Sequence, residues 1–336
     1  MTVHELIAAA GEPLSASDTR ALFDAIFGGQ LSEDEIVVYL SATANRKPTV
    51  DELVGAVTSM HAHMRSVTAP SDAIDLCGTG GDGLGTLNIS TAASFVIAGC
   101  GVPVAKHGNR SASSRSGAAD VLEALGVKIG LEPEAASRVL ARTGIVFLFA
   151  QTHHPAMKYV GGARKQIGRR TIFNLLGPLA SPARVTRQLA GVFSADWLTP
   201  YAQALSALGS ERAWIVHGKD GLDELSISGP SQVAVLEDGA VSLRNVSPDD
   251  AGLGTYPLSE IRGGDAAHNA DALRRLLEGQ APAAYHDIVV LNAAAGLIVA
   301  GKAQTLRDGA VLADTAIRGG RAHAVFQDFL LASNQP

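Results

Sequence analysis

The sequence predicts an α/β protein in which a small all-helical domain, residues 1–68, precedes a larger α/β domain with a central, mostly parallel sheet, residues 69–336. Two patterns support this fold class. Before residue 68, apolar residues recur at helical spacing with few strand-like alternations. Beyond Pro70, short apolar runs alternate with helical patterns, which is typical of parallel strands joined by crossover helices. The 336 residues, 46% of them hydrophobic, are enough to bury a core in more than one domain.

The helical domain is predicted from two stretches with helical spacing, 21–26 and 35–40. Ser17 and Ser32 precede these stretches, and Asp51 follows a proline. Serine and aspartate side chains accept hydrogen bonds from the first N–H groups of a helix. We therefore expect these three residues to be N-caps.

The α/β domain is expected to open with a strand at 73–77, a helix at 90–99 and a strand at 102–105. Ligands of such sheets bind at the carboxyl ends of the strands. The remaining expected elements are a helix at 118–125, a strand at 145–150, a helix at 201–208, a strand at 213–216 and a hairpin of residues 232–237 and 240–246 turning at Asp238-Gly239.

Composition excludes several classes of protein. The net charge of −6 disfavours a broad surface for nucleic acid, so any anion site is expected to be local. Two cysteines, Cys77 and Cys100, cannot build a disulfide framework and indicate a reducing compartment. No signal peptide is apparent, and the apolar runs 92–105 and 288–301 are shorter than the roughly 20 residues of a membrane span. We expect a cytoplasmic protein without a membrane partner.

A glycine-rich loop, GTGGD at residues 78–82, follows the first predicted strand. Glycines let backbone N–H groups approach an anion, and a helix opening at Ser90 would add its N-terminal dipole. The loop lacks the lysine of a P-loop and the spacing of a dinucleotide fingerprint. Two simpler interpretations remain: the glycines only shape a tight bend, and Ser90 with Thr91 only caps the helix.

Basic residues accompany this loop. Lys106 and Arg110 follow the second predicted strand, and residues 151–187 contain seven lysines and arginines without an acidic residue. They could line an anion site or form a solvated basic face.

Oxygen-bearing side chains near the loop would suit a hydrated Mg²⁺ ion, which prefers partial coordination by protein. They are Asp82, Asn88, Ser90 and Thr91. Far downstream, Asp223 and Glu224 could hold a second ion, although adjacent carboxylates in loops are often only solvated. Two Mg²⁺ ions would complement a substrate with several phosphates.

Four motifs together resemble the anthranilate phosphoribosyltransferase family: GTGGDGLGTLNIST, KHGNRSASSRSGAADVLEALGV, RRTIFNLLGPL and HGKDGLDELS. The N-terminal helices and the segment NAAAGLIVAG are also compatible with it. The resemblance implies a glycosyltransferase of tryptophan biosynthesis that transfers phosphoribosyl from phosphoribosyl pyrophosphate (PRPP) to anthranilate and releases pyrophosphate. It also implies a nucleoside phosphorylase/phosphoribosyltransferase-like fold, helices inserted into the helical domain from around 160–185, and a homodimer formed through that domain.

By motif position, the resemblance implies a two-substrate site that uses two Mg²⁺ ions. The residues implied for PRPP are Gly78, Gly81, Asp82, Thr86, Asn88, Ile89, Ser90, Thr91, Lys106, His107, Gly108, Asn109, Arg110, Ser111, Ala112, Ser113, Ser114 and Ala118. Those implied for anthranilate are Gly78, Asn109 and Arg164, and those implied for metal are Ser90, Asp223 and Glu224, with Glu224 shared between the two ions.

The chain departs from the family pattern at three places. Gly162-Ala163 stands where Pro-Val is common before Arg164, Ala118 where many relatives have serine, and Ser181 where asparagine is usual. Losing one hydroxyl contact costs about 0.5–1.5 kcal/mol, so neither Ala118 nor Ser181 should abolish the reaction.

No residue is assigned as catalytic, because the pyrophosphate leaving group already activates the anomeric carbon. His107 is a general base by residue type, or a buried structural histidine. Three other functions remain: a pyrimidine nucleoside phosphorylase, a non-catalytic nucleic-acid-binding relative and a glycine-rich structural protein. The motif set, the acidic net charge and the Asp223-Glu224 pair argue against them.

Overall fold

A seven-stranded sheet organises the computed structural model, which describes residues 1–111 and 115–336. Across the sheet the strands follow the order β3-β2-β1-β4-β5-β6-β7 once numbered along the chain. The strands are β1 (Ile74–Gly78), β2 (Val104–Gly108), β3 (Ile145–Phe149), β4 (Arg187–Gly191), β5 (Arg212–Gly218), β6 (Ser231–Glu237) and β7 (Ala240–Val246). Strands β1 to β5 are parallel, and β6 and β7 are antiparallel additions at one edge. The predicted mostly parallel sheet is confirmed.

The strand order reverses between β1 and β4. From β1 the chain proceeds outward to β2 and β3, and from β4 it proceeds in the opposite direction to β5. Loops that leave the two central strands at their carboxyl ends therefore diverge and open a crevice. Gly78 and Gly191 end β1 and β4 side by side at this point.

Fifteen helices are found in the described residues. Those of the N-terminal region are α1 (Val3–Ala9), α2 (Ala16–Phe27), α3 (Glu33–Thr43) and α4 (Val50–His63). The middle of the chain adds α5 (Ile89–Gly99), α6 (Ala118–Ala124), α7 (Pro133–Thr143), α8 (Ala150–His153), α9 (Gly161–Ile167), α10 (Phe173–Leu179) and α11 (Leu198–Ala207). The C-terminal region adds α12 (Ala266–Leu277), α13 (Ala283–Val299), α14 (Leu306–Arg318) and α15 (Arg321–Asn334). None of these helices is long and apolar enough to cross a membrane.

Two hydrophobic cores lie on opposite faces of the sheet. The first buries β1 to β3 and one face of β5 and β6 under α5 and the C-terminal helices. The second joins α1 to α4 with α10, α11 and the other face of β4 to β6, so that Phe23 and Leu53 share a core with Ile215. Val160 and Ala163, from the mid-chain segment, also belong to this second core. The N-terminal helices are therefore packed onto the sheet through α10 and α11.

The predicted helices at 21–26 and 35–40 are confirmed as parts of α2 and α3. Ser32 is an N-cap as predicted, but the predictions of Ser17 and Asp51 are wrong. Ser15 and Thr49 occupy those positions, because each side chain accepts the N–H three residues further along the chain. The Glu52 side chain in turn accepts a hydrogen bond from the Thr49 backbone N–H. This reciprocal capping box fixes the start of α4.

Strand β2 begins two residues later than predicted and runs to Gly108. Its pairing with β3 extends from Val104 to Gly108, which satisfies the backbone of a segment we expected to be a loop. Lys106 and His107 therefore lie on a central strand. The predicted hairpin of β6 and β7 is confirmed, and Asp238 (φ 51°) with Gly239 (φ 74°) forms its left-handed two-residue turn.

Candidate active site

The loop that carries Asp223 lies directly on the ends of the two central strands. A Cβ atom added at Gly78 would be 2.7 Å from Asp223 Oδ2, and one added at Gly191 would overlap the Asp223 carbonyl oxygen. Only glycine leaves room for this approach at both positions. The two glycines that end β1 and β4 thus place a carboxylate at the crevice where the strand order reverses.

The glycine-rich loop leaves β1 in a conformation that depends on its glycines. Gly80, Gly81, Gly83 and Gly85 have φ values of 65°, 80°, 76° and 63°. The Gly80 N–H donates to Asp223 Oδ2 at 2.8 Å. Within the loop, the Leu84 N–H donates to Asp82 Oδ1 at 3.1 Å. Left-handed backbone makes glycine necessary here, and the loop turns the Gly80 N–H toward the crevice.

Helix α5 begins beside the same crevice. The Ser90 N–H donates to Glu224 Oε1 at 3.2 Å, and the Ser90 hydroxyl lies 3.2 Å from the buried Lys106 ammonium, which also donates to the Leu76 carbonyl. A carboxylate at a helix N-terminus satisfies an N–H group that has no partner within the helix. The structure therefore brings together Ser90, Lys106 and Glu224.

Within the described part of the chain, neither Asp223 nor Glu224 forms an ion pair. Burial, reinforced by the charge of Asp82, raises the pKa of Asp223 above its ordinary value. Burial, followed by the charge of Asp223, raises the pKa of Glu224 to about 8, against the opposing effect of Lys106. Both residues remain partly exposed to the crevice. Clustered carboxylate oxygens with raised pKa values are a donor set that a hard divalent cation would stabilise, so these residues fit Mg²⁺.

The strand-like segment from Thr86 to Asn88 is anchored by the C-terminal part of the chain. Thr86 pairs with Arg262, and the Gly263 N–H donates to the Gly85 carbonyl at 2.8 Å. The Asn269 amide donates to Asn88 Oδ1 at 2.9 Å. Sequence reasoning missed Arg262 and Asn269, because they lie far from the motifs and follow no recognisable spacing.

Several residues implied for PRPP have buried side chains. Ile89, Thr91, Lys106 and His107 are all buried, so Ile89 can offer a ligand only its backbone. His107 lies with Nδ1 3.1 Å from the Gly177 carbonyl and its ring 5.1 Å from that of His154. Burial, then the charges of His154 and His153, lowers the pKa of His107 well below its usual range. Its burial and its bond to a backbone carbonyl favour the structural interpretation over a general base.

The segment after β2 turns toward helix α6. Arg110 forms ion pairs with Asp120, at 2.9 Å, and with Glu123. Asp120 Oδ2 also accepts the N–H groups of Ser111 and Gly117 at 3.2 and 2.8 Å. Arg110 is thus held by carboxylates of α6. Ala118 is the first residue of α6, and Ala112, Ser113 and Ser114 lie outside the described residues.

Arg164 extends from α9 over the ring of Phe173, with 5.6 Å between the guanidinium and the ring centroid. It has no acidic partner among residues 1–111 and 115–336, and burial lowers its pKa. Just before it, a Cβ added at Gly162 would overlap the Glu33 carboxylate, so the glycine accommodates that side chain. Ser181, the other departure in this region, is buried with no described hydrogen-bond partner for its hydroxyl.

Two neighbouring arginines of the basic run contact different parts of the molecule. Arg169 donates to Asn45 Oδ1 at 3.0 Å and to the Ser41 carbonyl at 3.2 Å. Arg170, the next residue, donates to the Gly81 carbonyl at 2.5 Å and stacks 4.0 Å from the centroid of the Phe193 ring. One short segment therefore connects the helical domain to the glycine-rich loop. The sequence placed Arg170 among the basic residues but gave it no role.

Comparisons with known proteins agree with this architecture. The family model described as the glycosyl transferase family, a/b domain, matches residues 70–323, and the model of its helical bundle domain matches residues 6–64. The anthranilate phosphoribosyltransferase of Azorhizobium caulinodans is 55% identical over 316 residues, which cover 94% of this chain and 92% of that protein. The enzyme of the same name from Beijerinckia indica is 53% identical over 327 residues, covering 97% and 95%.

Solved structures are similar over almost the whole chain. The crystal structure of anthranilate phosphoribosyltransferase from Thermus thermophilus superposes with a TM-score of 0.93 at 38% identity, covering 98% of this chain and 99% of that one. The enzyme from Saccharomyces cerevisiae, solved in complex with PRPP and Mg, superposes with a TM-score of 0.90 at 26% identity, covering 100% and 98%.

Proposed function

This chain belongs to the anthranilate phosphoribosyltransferase family, and from that membership we propose that it transfers the phosphoribosyl group of PRPP to anthranilate. The products are N-(5-phosphoribosyl)anthranilate and pyrophosphate, and the reaction belongs to tryptophan biosynthesis. The observation that carries the proposal is the crevice at β1 and β4. There the Asp223-Glu224 pair meets the glycine-rich loop and the start of α5 through the Gly80 and Ser90 N–H groups.

PRPP is proposed to bind across this crevice, with its pyrophosphate against the glycine-rich loop. The loop N–H groups and the N-terminus of α5 favour an anion. Lys106 adds a full positive charge 3.2 Å from the Ser90 hydroxyl. The residues proposed to surround PRPP are those that the sequence implied, namely 78, 81, 82, 86, 88–91, 106–114 and 118.

Two Mg²⁺ ions are proposed to accompany PRPP, held by Ser90, Asp223 and Glu224. The structure of the Saccharomyces cerevisiae relative contains Mg together with PRPP, which supports the choice of metal. The donor set described above fits such an ion, because neither carboxylate forms an ion pair among residues 1–111 and 115–336. When bound, Mg²⁺ supplies positive charge that stabilises the departing pyrophosphate.

Anthranilate is proposed to bind near Gly78, Asn109 and Arg164. A guanidinium without an acidic partner among the described residues is suited to the anthranilate carboxylate, which it can hold through two parallel hydrogen bonds. Phe173, beneath Arg164, is buried in the second core and supports the guanidinium from below. Arg164 would thereby orient the amine toward the sugar.

Transfer needs no nucleophile from the protein. The bond between the anomeric carbon and pyrophosphate breaks as the amine nitrogen bonds to that carbon, through a transition state with oxocarbenium character. The nitrogen then loses one proton to solvent or to the released pyrophosphate, which gives the neutral secondary amine. The residues of the chain then act by holding the two substrates in line and by stabilising the charge of the leaving group. The neutral, buried His107 supports its carbonyl partner rather than taking the proton.

The proposal is tested by following anthranilate fluorescence after the protein is mixed with PRPP and Mg²⁺. We expect the fluorescence to fall with turnover and to remain constant if either PRPP or Mg²⁺ is omitted. The double variant Asp223→Asn, Glu224→Gln should need far more Mg²⁺. No turnover with all three components at saturating concentrations would refute the assignment.

A homodimer formed through the helical domain is also proposed. Val38 of α3 is 56% exposed and Tyr159 is 40% exposed, although both are large apolar residues of this region. The proposal comes from the family resemblance, and these two exposed side chains offer positions at which to test it. Light scattering after size-exclusion chromatography should give twice the chain mass for the wild type. The variant Val38→Glu should shift the measured mass toward that of one chain. A wild-type mass equal to that of a single chain would contradict the proposal.

The domain division after residue 68 and the cytoplasmic location also remain proposals. The mid-chain residues Val160, Ala163 and Phe173 share the core of the N-terminal helices, which supports their assignment to the helical domain. Cys77 and Cys100 are both free, which is compatible with a reducing compartment.

A further inference from the structure

A fully buried asparagine on α13 forms two hydrogen bonds with the backbone of the residue that follows the acidic pair. Asn292 Oδ1 accepts the Leu225 N–H at 3.0 Å, and the Asn292 amide donates back to the Leu225 carbonyl at 3.0 Å. The second amide hydrogen is donated to the Ile288 carbonyl at 2.9 Å, one helical turn earlier. Asn292 and Leu225 are both 0% exposed.

This placement is chemically specific. Asn292 lies in an otherwise apolar stretch of α13, between residues such as Leu291 and Ala293 that are also buried. A buried amide is unfavourable unless it is hydrogen-bonded, and here the amide makes all of its donor bonds. Only asparagine has the length and the paired donor and acceptor to match the N–H and carbonyl of a single residue in this way.

Leu225, the residue bound by Asn292, follows the two proposed metal ligands directly in the sequence. Asp223 is fixed from one side by the Gly80 N–H, and Glu224 by the Ser90 N–H. Those bonds come from the loop and helix that would also contact PRPP. Asn292 holds the segment from the opposite direction, on a helix that packs against α5 and the central strands.

We propose that Asn292 is a positioning residue for the metal site, which it organises by fixing the backbone that carries Asp223 and Glu224. This inference rests on the proposed role of those two carboxylates as Mg²⁺ ligands. Residues that orient metal ligands from outside typically change metal affinity or activity by about 10- to 100-fold when they are replaced. Asn292 would act in this way through the main chain instead of through a ligand side chain.

The test is Mn²⁺ binding in the presence of PRPP, measured from the electron paramagnetic resonance signal of free Mn²⁺. Asn292→Leu keeps the branching of the side chain and removes all three hydrogen bonds, and we expect it to weaken Mn²⁺ binding roughly tenfold. In steady-state assays the Mg²⁺ concentration for half-maximal rate should rise by a similar factor. The KM for anthranilate should change less than about twofold, since Asn292 acts on the metal ligands.

The matched control is Val289→Ala, which removes two methyl groups from a fully buried position of the same helix. It should lower the thermal stability but leave Mn²⁺ binding unchanged. If Asn292→Leu does not fold, Asn292→Ser takes its place and should weaken Mn²⁺ binding in the same direction.

The proposal is overturned if a folded Asn292 variant binds Mn²⁺ like the wild type, or if Val289→Ala weakens binding equally. Failure of the underlying assignment would look different. In that case the double variant Asp223→Asn, Glu224→Gln would itself retain wild-type Mn²⁺ binding.

Discussion

The backbone N–H of Gly80 donates a hydrogen bond of 2.8 Å to Oδ2 of Asp223, across 143 residues of sequence. This bond joins the loop that leaves β1 to the loop that leaves β5, at the crevice between β1 and β4. It is possible because Gly78 and Gly191 have no side chains to separate the two loops. The geometry of the acidic pair therefore depends on glycines of two neighbouring strands.

Gly191→Ala should disrupt the active site from within the sheet. The new methyl group would overlap the Asp223 carbonyl oxygen, so the loop must move and carry the metal ligands with it. We expect kcat/KM to fall at least tenfold and the free energy of unfolding to drop by about 1–3 kcal/mol, the usual cost of overpacking. Gly229→Ala is the control, because a Cβ there meets no atom within 4 Å. If Gly191→Ala were as active as Gly229→Ala, the prediction would be wrong, because the loop that carries Asp223 would then tolerate the added methyl group.

Arg170→Ala should loosen the glycine-rich loop, because Arg170 donates to the Gly81 carbonyl at 2.5 Å and stacks on Phe193. We expect the KM for PRPP to rise on the order of tenfold, since a hydrogen bond to a charged group contributes about 1.5–3 kcal/mol. Arg170→Lys should restore little, because an ammonium cannot stack as a planar guanidinium does. The neighbouring Arg169→Ala removes bonds to the helical domain only and serves as the control. If Arg169→Ala raises the KM as much, the effect does not come from the loop.

The sequence predicted those parts of the site that depend on local rules. Gly78 and its loop were recognisable because left-handed backbone and close approach require glycine, and residues at the end of a parallel strand face the ligand. The hairpin turn at Asp238-Gly239 follows from the same backbone rule. The roles of the acidic residues came from motifs whose order and spacing are specific to a family.

Other features required the three-dimensional structure. Asn292 looks like one polar residue in an apolar helix, and nothing near it in sequence identifies Leu225 as its partner. Asn269 likewise meets Asn88 only through the fold. The extension of β2 to Lys106 and His107 arose from pairing with β3, a contact that outweighs the local resemblance to a loop. Long-range pairing of this kind leaves no local signal.

Arg164→Ala should raise the KM for anthranilate far more than the KM for PRPP. The guanidinium has no acidic partner in the described part of the chain. Its removal should therefore abolish the contact with the anthranilate carboxylate without breaking a structural ion pair. Loss of a charge-assisted contact of about 1.5–3 kcal/mol corresponds to roughly 10- to 100-fold. Initial rates with each substrate varied in turn measure both constants. Lys165→Ala, at the next and exposed position, is the control; equal increases in both KM values would contradict the assigned contact.

His154 should make the free energy of unfolding depend on pH below neutrality. Burial, followed by the charges of His153 and His61, lowers the pKa of His154 from 6.5 to about 4. Between these values the unfolded chain binds a proton that the folded chain does not, so stability is present above pH 6.5 and falls as the pH decreases toward 4. The full loss is on the order of 3 kcal/mol. The free energy of unfolding, measured by chemical denaturation at pH 7.5 and at pH 4.5, should therefore differ less between the two pH values for His154→Gln than for the wild type. His268→Gln, at an exposed position, should keep the wild-type dependence; a His154→Gln profile parallel to the wild type would mean that His154 does not contribute to this dependence.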